Sequence, residues 1–204
     1  MAYPTVNAPY GLKPINLIGG QVFAGQTREL PIASNYGTAI YNGDIVRLDG
    51  GFIVKEAGTT TVTSQGVTGV FLGCSYTNPS TGQLLFANSY PGSVVASNIV
   101  AYVADDPDQL YKAASVGNTI NTTGLVISAV SQVVVGNNAT LILNTGSATT
   151  GNSKTGVFAN AVSTSLPMRV VDGVPDTATS NGYTELIVKF NFGYHSYDNA
   201  TGVA

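Results

Sequence analysis

The stretch Gly43-Asp44-Ile45-Val46-Arg47-Leu48-Asp49-Gly50-Gly51-Phe52-Ile53-Val54-Lys55 decides the fold class. Two runs of β-branched and apolar residues flank Asp49-Gly50-Gly51. Asp-Gly accepts the positive φ angles that a tight hairpin turn demands, so the segment predicts two antiparallel strands at 44–48 and 52–57. The same grammar recurs along the chain. Short β-branched or aromatic runs at 14–18, 27–33, 67–76, 83–87, 93–103, 109–114, 125–135, 140–143, 167–171 and 185–192 are bounded by Gly, Asn, Pro or Ser. No sustained 3.6-residue apolar period competes with them, and a few alanine-containing stretches, such as 160–165, could form a single helical turn. The expectation is an all-β fold, a β-barrel or jelly-roll-like sandwich with little helix.

Working outward, residues 1–13 read as an extended N-terminal arm, because Pro4, Pro9 and Pro14 hold their neighbours extended. Residues 14–192 form a β-rich body, one domain or two lobes, with a Gly/Ser/Thr/Asn-rich loop at 144–160. Residues 193–204 read as a polar, extended C-terminal tail. No fixed-period repeat is present.

The 204 residues suffice to bury about 70% of the unfolded surface. A single cysteine excludes an internal disulfide and fits assembly in a reducing cytoplasm. The first residues carry neither a basic nor an apolar leader region, and no run approaches the ~20 apolar residues of a membrane helix. The chain therefore reads as soluble, with no membrane partner. Charged residues make up 9% of the sequence, against about 25% in ordinary soluble domains. With 44% hydrophobic residues, that scarcity speaks for a folded chain with part of its surface covered by a partner. A net charge of −3 and eight scattered basic residues offer no nucleic-acid footprint.

Residues able to do chemistry are few. His195, the one histidine, has no sequence partner for a metal site, so a surface or interface imidazole is expected. Cys74 lies among apolar neighbours on a predicted strand and reads as a small buried hydrophobe. Asp105-Asp106-Pro107-Asp108 could supply a glycosidase acid and base or bind calcium. It lacks the regular calcium-loop spacing, and Pro107 favours a turn with its carboxylates in solvent. Arg28, Arg47 and Arg169 are candidates to pair with Glu29, Glu56, Glu185 or the aspartates. Gly19-Gly20 lacks the remainder of a phosphate-binding loop. Three Asn-x-Thr sequons read as chance in an Asn/Thr-rich chain. No catalytic, cofactor or metal site is expected, and the chain is not expected to be an enzyme.

Three segments carry a resemblance. They are Thr27-Arg28-Glu29-Leu30-Pro31-Ile32-Ala33 leading into Gly43 to Gly51, then Val100-Ala101-Tyr102-Val103-Ala104-Asp105-Asp106-Pro107-Asp108-Gln109-Leu110-Tyr111, then Glu185-Leu186-Ile187-Val188-Lys189-Phe190-Asn191. In order and spacing the chain resembles the capsid decoration, or cement, proteins of tailed bacteriophages. That resemblance implies a virion structural protein on the outer capsid surface, made in the host bacterial cytoplasm. It also implies the major capsid protein as partner and a homodimer or homotrimer on the lattice. Extended ends suit such a role, since an arm can add a strand to a neighbour's sheet. Tyr3, Val6, Tyr10 and Leu12, with Phe192, Tyr194 and Tyr197 at the other end, are the expected anchors on capsid or self. The alternative expectation is a head-fibre or receptor-binding protein that grips a host glycan, with 144–160 as its exposed loop.

Overall fold

The computed structural model describes residues 6, 8–57, 66–117, 134–159, 166–177 and 183–199. Fourteen strands are found there, together with a 3-10 turn at Pro175–Thr177. The Asp-Gly hairpin is present: β4 (Ile45–Asp49) pairs antiparallel with β5 (Phe52–Lys55), with Asp49 opposite Phe52. Gly50 and Gly51 take φ of +55° and +84°, the left-handed backbone that this turn chemistry anticipates.

Two antiparallel six-stranded sheets make the body. The first runs β1 (Lys13–Leu17), β10 (Gln109–Ala114), β14 (Glu185–Phe190), β13 (Met168–Gly173), β11 (Asn138–Ile142), β12 (Gly156–Phe158). The second runs β2 (Arg28–Pro31), β9 (Val100–Ala104), β6 (Gly69–Thr77), β4, β5, with β7 (Leu84–Ala87) on the far end of β6. A two-stranded ribbon of β3 (Ile40–Tyr41) and β8 (Ser89–Tyr90) sits beside them. Neither sheet closes into a barrel among the described residues. A single parallel bridge, Ser115 with Val157, brings β12 back to the end of β10, but no ladder follows it. The arrangement is that of a sandwich.

The burial patterns follow the pleat. β10 alternates between buried and half-buried positions, and β9 likewise hides Ala101 and Val103 while Val100 and Tyr102 stay half-buried. β6, central in its sheet, is buried along most of its nine residues. Two apolar clusters result. One gathers Leu12 of the arm and Tyr111, Ala113, Met168, Leu186 and Val188 of the first sheet with Ile45, Val70 and Ala104 of the second. The other lies between the second sheet and the ribbon, around Phe71, Cys74, Tyr90 and Val103.

Several expectations change. The 93–103 run is a strand only from Val100. Upstream no strand forms, and Ser93 at φ +55° and Asn35 at +59° mark where the backbone leaves regular geometry. The 144–160 loop contains β12, and its described part is held by backbone bonds such as Ser147 N–H to the Asn152 carbonyl and Ser153 N–H to the Asn42 carbonyl. The tail is not extended from 193 to 199 but folds back in two turns. The predicted helical turn at 160–165, most of the predicted strand at 125–135 and Tyr3 lie outside the described residues. Among the described residues no helix is long and apolar enough to cross a membrane.

Candidate functional site

The acidic turn after β9 forms one wall of a cleft of about 330 Å³, opposite the 21–26 loop. Asp106 shapes the turn itself: its Oδ1 accepts the Asp108 N–H at 2.8 Å. Asp105 faces inward instead of into solvent. Its Oδ2 accepts Arg28 Nε at 2.9 Å and the Tyr197 hydroxyl at 2.7 Å, and its side chain is 16% exposed. The Arg28 guanidinium lies 5.1 Å over the Tyr197 ring, so cation, carboxylate and phenol form one cluster. Burial pushes the Tyr197 hydroxyl up to about 12, helped by the Asp105 hydrogen bond and charge and opposed by Arg28. At neutral pH it is therefore a donor. Asp108 pairs with Lys189 at 3.3 Å. The three carboxylates have separate partners and do not converge. No group of three His, Cys, Asp or Glu side chains suited to a metal is found among the described residues.

His195 corrects the surface reading: it is completely buried. The tail turns back so that Val67 N–H donates to the Tyr194 carbonyl and Ser196 N–H to the Val67 carbonyl, both at 2.7 Å. This parallel bridge carries the imidazole inward, edge-on to Tyr197 at 5.0 Å and beside Phe190 at 6.3 Å. Nδ1 accepts the Tyr197 N–H at 3.3 Å, which places the ring proton on Nε2. Burial lowers the imidazole pKa, against upward pushes from Asp198, Asp105 and the Thr68 carbonyl. His195 is thus a neutral core side chain under the tail.

The second polar centre was not expected from sequence. Asp44 is fully buried at the seam between the two sheets. Its Oδ2 accepts the Tyr41 N–H at 2.9 Å and Lys55 Nζ at 2.7 Å, and its Oδ1 accepts Ser153 Oγ at 2.6 Å. Ser153 belongs to the loop between β11 and β12, so Asp44 ties the first sheet's loop to the second sheet's hairpin. The arm threads through the same seam. Leu12 N–H donates to the Gly43 carbonyl at 3.0 Å, Gly11 N–H to the Thr155 carbonyl at 3.2 Å, and Lys13 Nζ reaches Asn42 Oδ1. Beside the seam opens a recess of about 410 Å³, walled by Tyr36, Tyr41, Lys55, Glu56, Leu143 and Asn144. Asp44 heads the predicted 44–48 strand, a position that carries no signal of burial, and Lys55 and Ser153, its side-chain partners, lie 11 and 109 positions away.

The expected anchors divide. Leu12 is fully buried in this chain's own core, which corrects its assignment as an outward anchor. Tyr10 is half-buried, and its hydroxyl donates to Glu185 Oε1 at 2.5 Å. Burial and the Glu185 carboxylate drive that phenol well above its usual range, and Lys112 completes the group, pairing with Glu185 at 3.1 Å. Val6 accepts the Tyr183 N–H at 3.0 Å. Tyr194 is half-buried, Tyr197 holds Asp105, and Phe192 is 86% exposed. Sequence reasoning missed Leu84 and Phe86, which stand exposed two residues apart on β7. Cys74 is buried as expected, and burial raises its thiol to about 11. Of the expected arginine pairs, Arg28 meets Asp105, Arg47 meets Asp49 at 3.2 Å and Glu56 at 3.6 Å, and Arg169 donates to Asn138.

No family model, no curated protein and no solved structure matches this chain.

Proposed function

We propose that this chain is a virion structural protein that binds the outer surface of a tailed-phage capsid and stabilises it by bridging major capsid protein subunits. The observation that carries the reading is the β7 edge. β7 pairs only with β6 among the described residues, so its other edge offers unpaired main-chain groups. Leu84 and Phe86 share one face of it, 56% and 71% exposed. Exposed apolar groups on an open edge suit docking by strand addition, and they are an aggregation hazard in a chain that remains alone. The sparse surface charge and the sequence resemblance support the same reading. Each contact contributes modestly after the costs of association, and lattice repetition multiplies it.

The test is co-sedimentation with capsids that lack the protein, followed by heating. Saturable binding at a fixed ratio to capsid subunits, with a raised disruption temperature, is expected. The double variant Leu84→Ser, Phe86→Ser should lose that binding while its own unfolding free energy stays within the small range of surface substitutions, about ±0.5 kcal/mol per site. No sedimentation with capsids would remove the reading, and binding without stabilisation would leave only a passive decoration.

A further inference from the structure

We infer that residues 194–198 form an acid-released strap: protonation of His195 promotes the detachment of this part of the tail from Val67. Few bonds fasten the strap. Two backbone bonds of 2.7 Å join it to Val67, and the Asp198 N–H closes its turn on the His195 carbonyl at 3.0 Å. Its side chains hold at two points, the Tyr197 hydroxyl on Asp105 and the imidazole in the core. Val67 and Phe190, against which the strap lies, are 0% and 2% exposed.

His195 is the group whose bonding reverses when a proton arrives. Its Nδ1 accepts the Tyr197 N–H at 3.3 Å. An imidazolium carries hydrogen on both nitrogens, so Nδ1 would become a donor aimed at another donor. Nε2 is buried and makes no hydrogen bond, although the Thr68 carbonyl attracts its proton. The charged groups around the ring offer little compensation. Asp105, on the turn after β9, is already held by Arg28 at 2.9 Å and by the Tyr197 hydroxyl. Lys189 of β14 adds a like charge and pairs with Asp108 at 3.3 Å. Asp198 favours the cation but sits on the strap and leaves with it. A buried ion without a hydrogen-bonded partner is costly, whereas a released imidazolium is hydrated.

The proton need not enter the core. The strap opens transiently, His195 takes up a proton near its ordinary pKa of about 6.5, and the charged ring does not return. Burial holds the closed ring below that value, so the open form binds the proton first and opening rises as pH falls below about 6.5. Release stays local, because β14 beneath is paired along both edges, with β10 and β13. It also withdraws Tyr197 from the wall of the acidic-turn cleft. The device is independent of capsid binding, since every group in it belongs to one chain.

The experiment follows amide hydrogen exchange of the full-length protein by NMR at pH 7, 6 and 5, corrected for intrinsic exchange rates, with a series of urea concentrations below the unfolding transition. Protection of Val67 and Ser196 should fall about ten- to twenty-five-fold between pH 7 and pH 5, as an open-state imidazole of ordinary pKa requires. Their exchange should respond weakly to urea, because a local opening exposes little surface, while that of Val188 in β14 should rise steeply. His195→Gln should flatten the pH response. If that variant does not fold, Asp198→Asn decides which group titrates, since it should keep the response. The inference is overturned if the parent's Val67 and Ser196 protection is unchanged between pH 7 and pH 5, if their urea dependence equals that of Val188, if His195→Gln keeps the parent's response, or if Asp198→Asn abolishes it.

Discussion

Asp44 is the residue on which the two sheets meet. Its carboxylate, itself fully buried, takes a backbone N–H, an ammonium and a hydroxyl from three separate segments. Such a group stabilises little against a well-packed apolar substitute, yet removing it alone leaves the Lys55 ammonium without its counter-charge. Asp44→Ala should therefore cost about 3–5 kcal/mol in a urea titration. Gly11 poses a different constraint. At φ +82° a side chain is already strained, and a Cβ would lie 2.7 Å from both the Gly43 carbonyl oxygen and Ser153 Cβ. Gly11→Ala should lose about 2–4 kcal/mol in the same titration, the sum of backbone strain and overpacking. His195 sets a pH dependence. Its folded pKa lies below that of a free imidazole, near 6.5, so the unfolded chain takes up the proton first. The stability contributed by the neutral ring is complete above about pH 6.5 and is lost as pH falls through the lower folded value. Between about pH 7 and pH 5 the melting temperature should drop less steeply for His195→Gln than for the parent.

At the scale of elements, local chemistry and tertiary context divide the work. The β4–β5 hairpin, β10 and β14 are legible because turn residues and side-chain alternation act over two to four positions. β3, β8 and β12 are two or three residues long, and no run of that length carries a period. They are strands because neighbours present an edge to them, as β11 does to β12 through Thr140 and Phe158. The tail follows the same rule. Nothing in Tyr194-His195-Ser196-Tyr197 announces that it will strap down Val67, since the two hydrogen bonds that hold it join segments far apart in sequence. Native-state hydrogen exchange should find the Val67 and Ser196 amides protected together, and truncation after Gly193 should release Val67 and cost about 2–4 kcal/mol from lost bonds and uncovered apolar surface.

At the scale of the whole molecule, the apolar clusters are coupled. Ile45, Val70 and Ala104 belong to strands of the second sheet but pack in the first sheet's cluster, and the Asp44 seam spans the same boundary. Unfolding should therefore be a single cooperative transition. Cys74 reports on it directly. It is the chain's one thiol, 1% exposed in the second cluster, and raised to about 11. Its labelling by a disulfide reagent should track loss of tyrosine near-ultraviolet dichroism across a urea series, and labelling that runs ahead of the dichroism would show the second sheet opening alone. The sequence by itself determined the fold class, the Asp-Gly hairpin, the acidic turn and the burial of Cys74, because each rests on backbone preference or the two-residue pleat. Only the tertiary structure decided that Leu12 points into the core, that His195 is buried and that Asp105 reaches Tyr197. It alone also decided that Asp44 meets Ser153 across a separation of 109 positions. A side chain's partners are set by which sheets stack and where loops return, and no local pattern encodes that geometry.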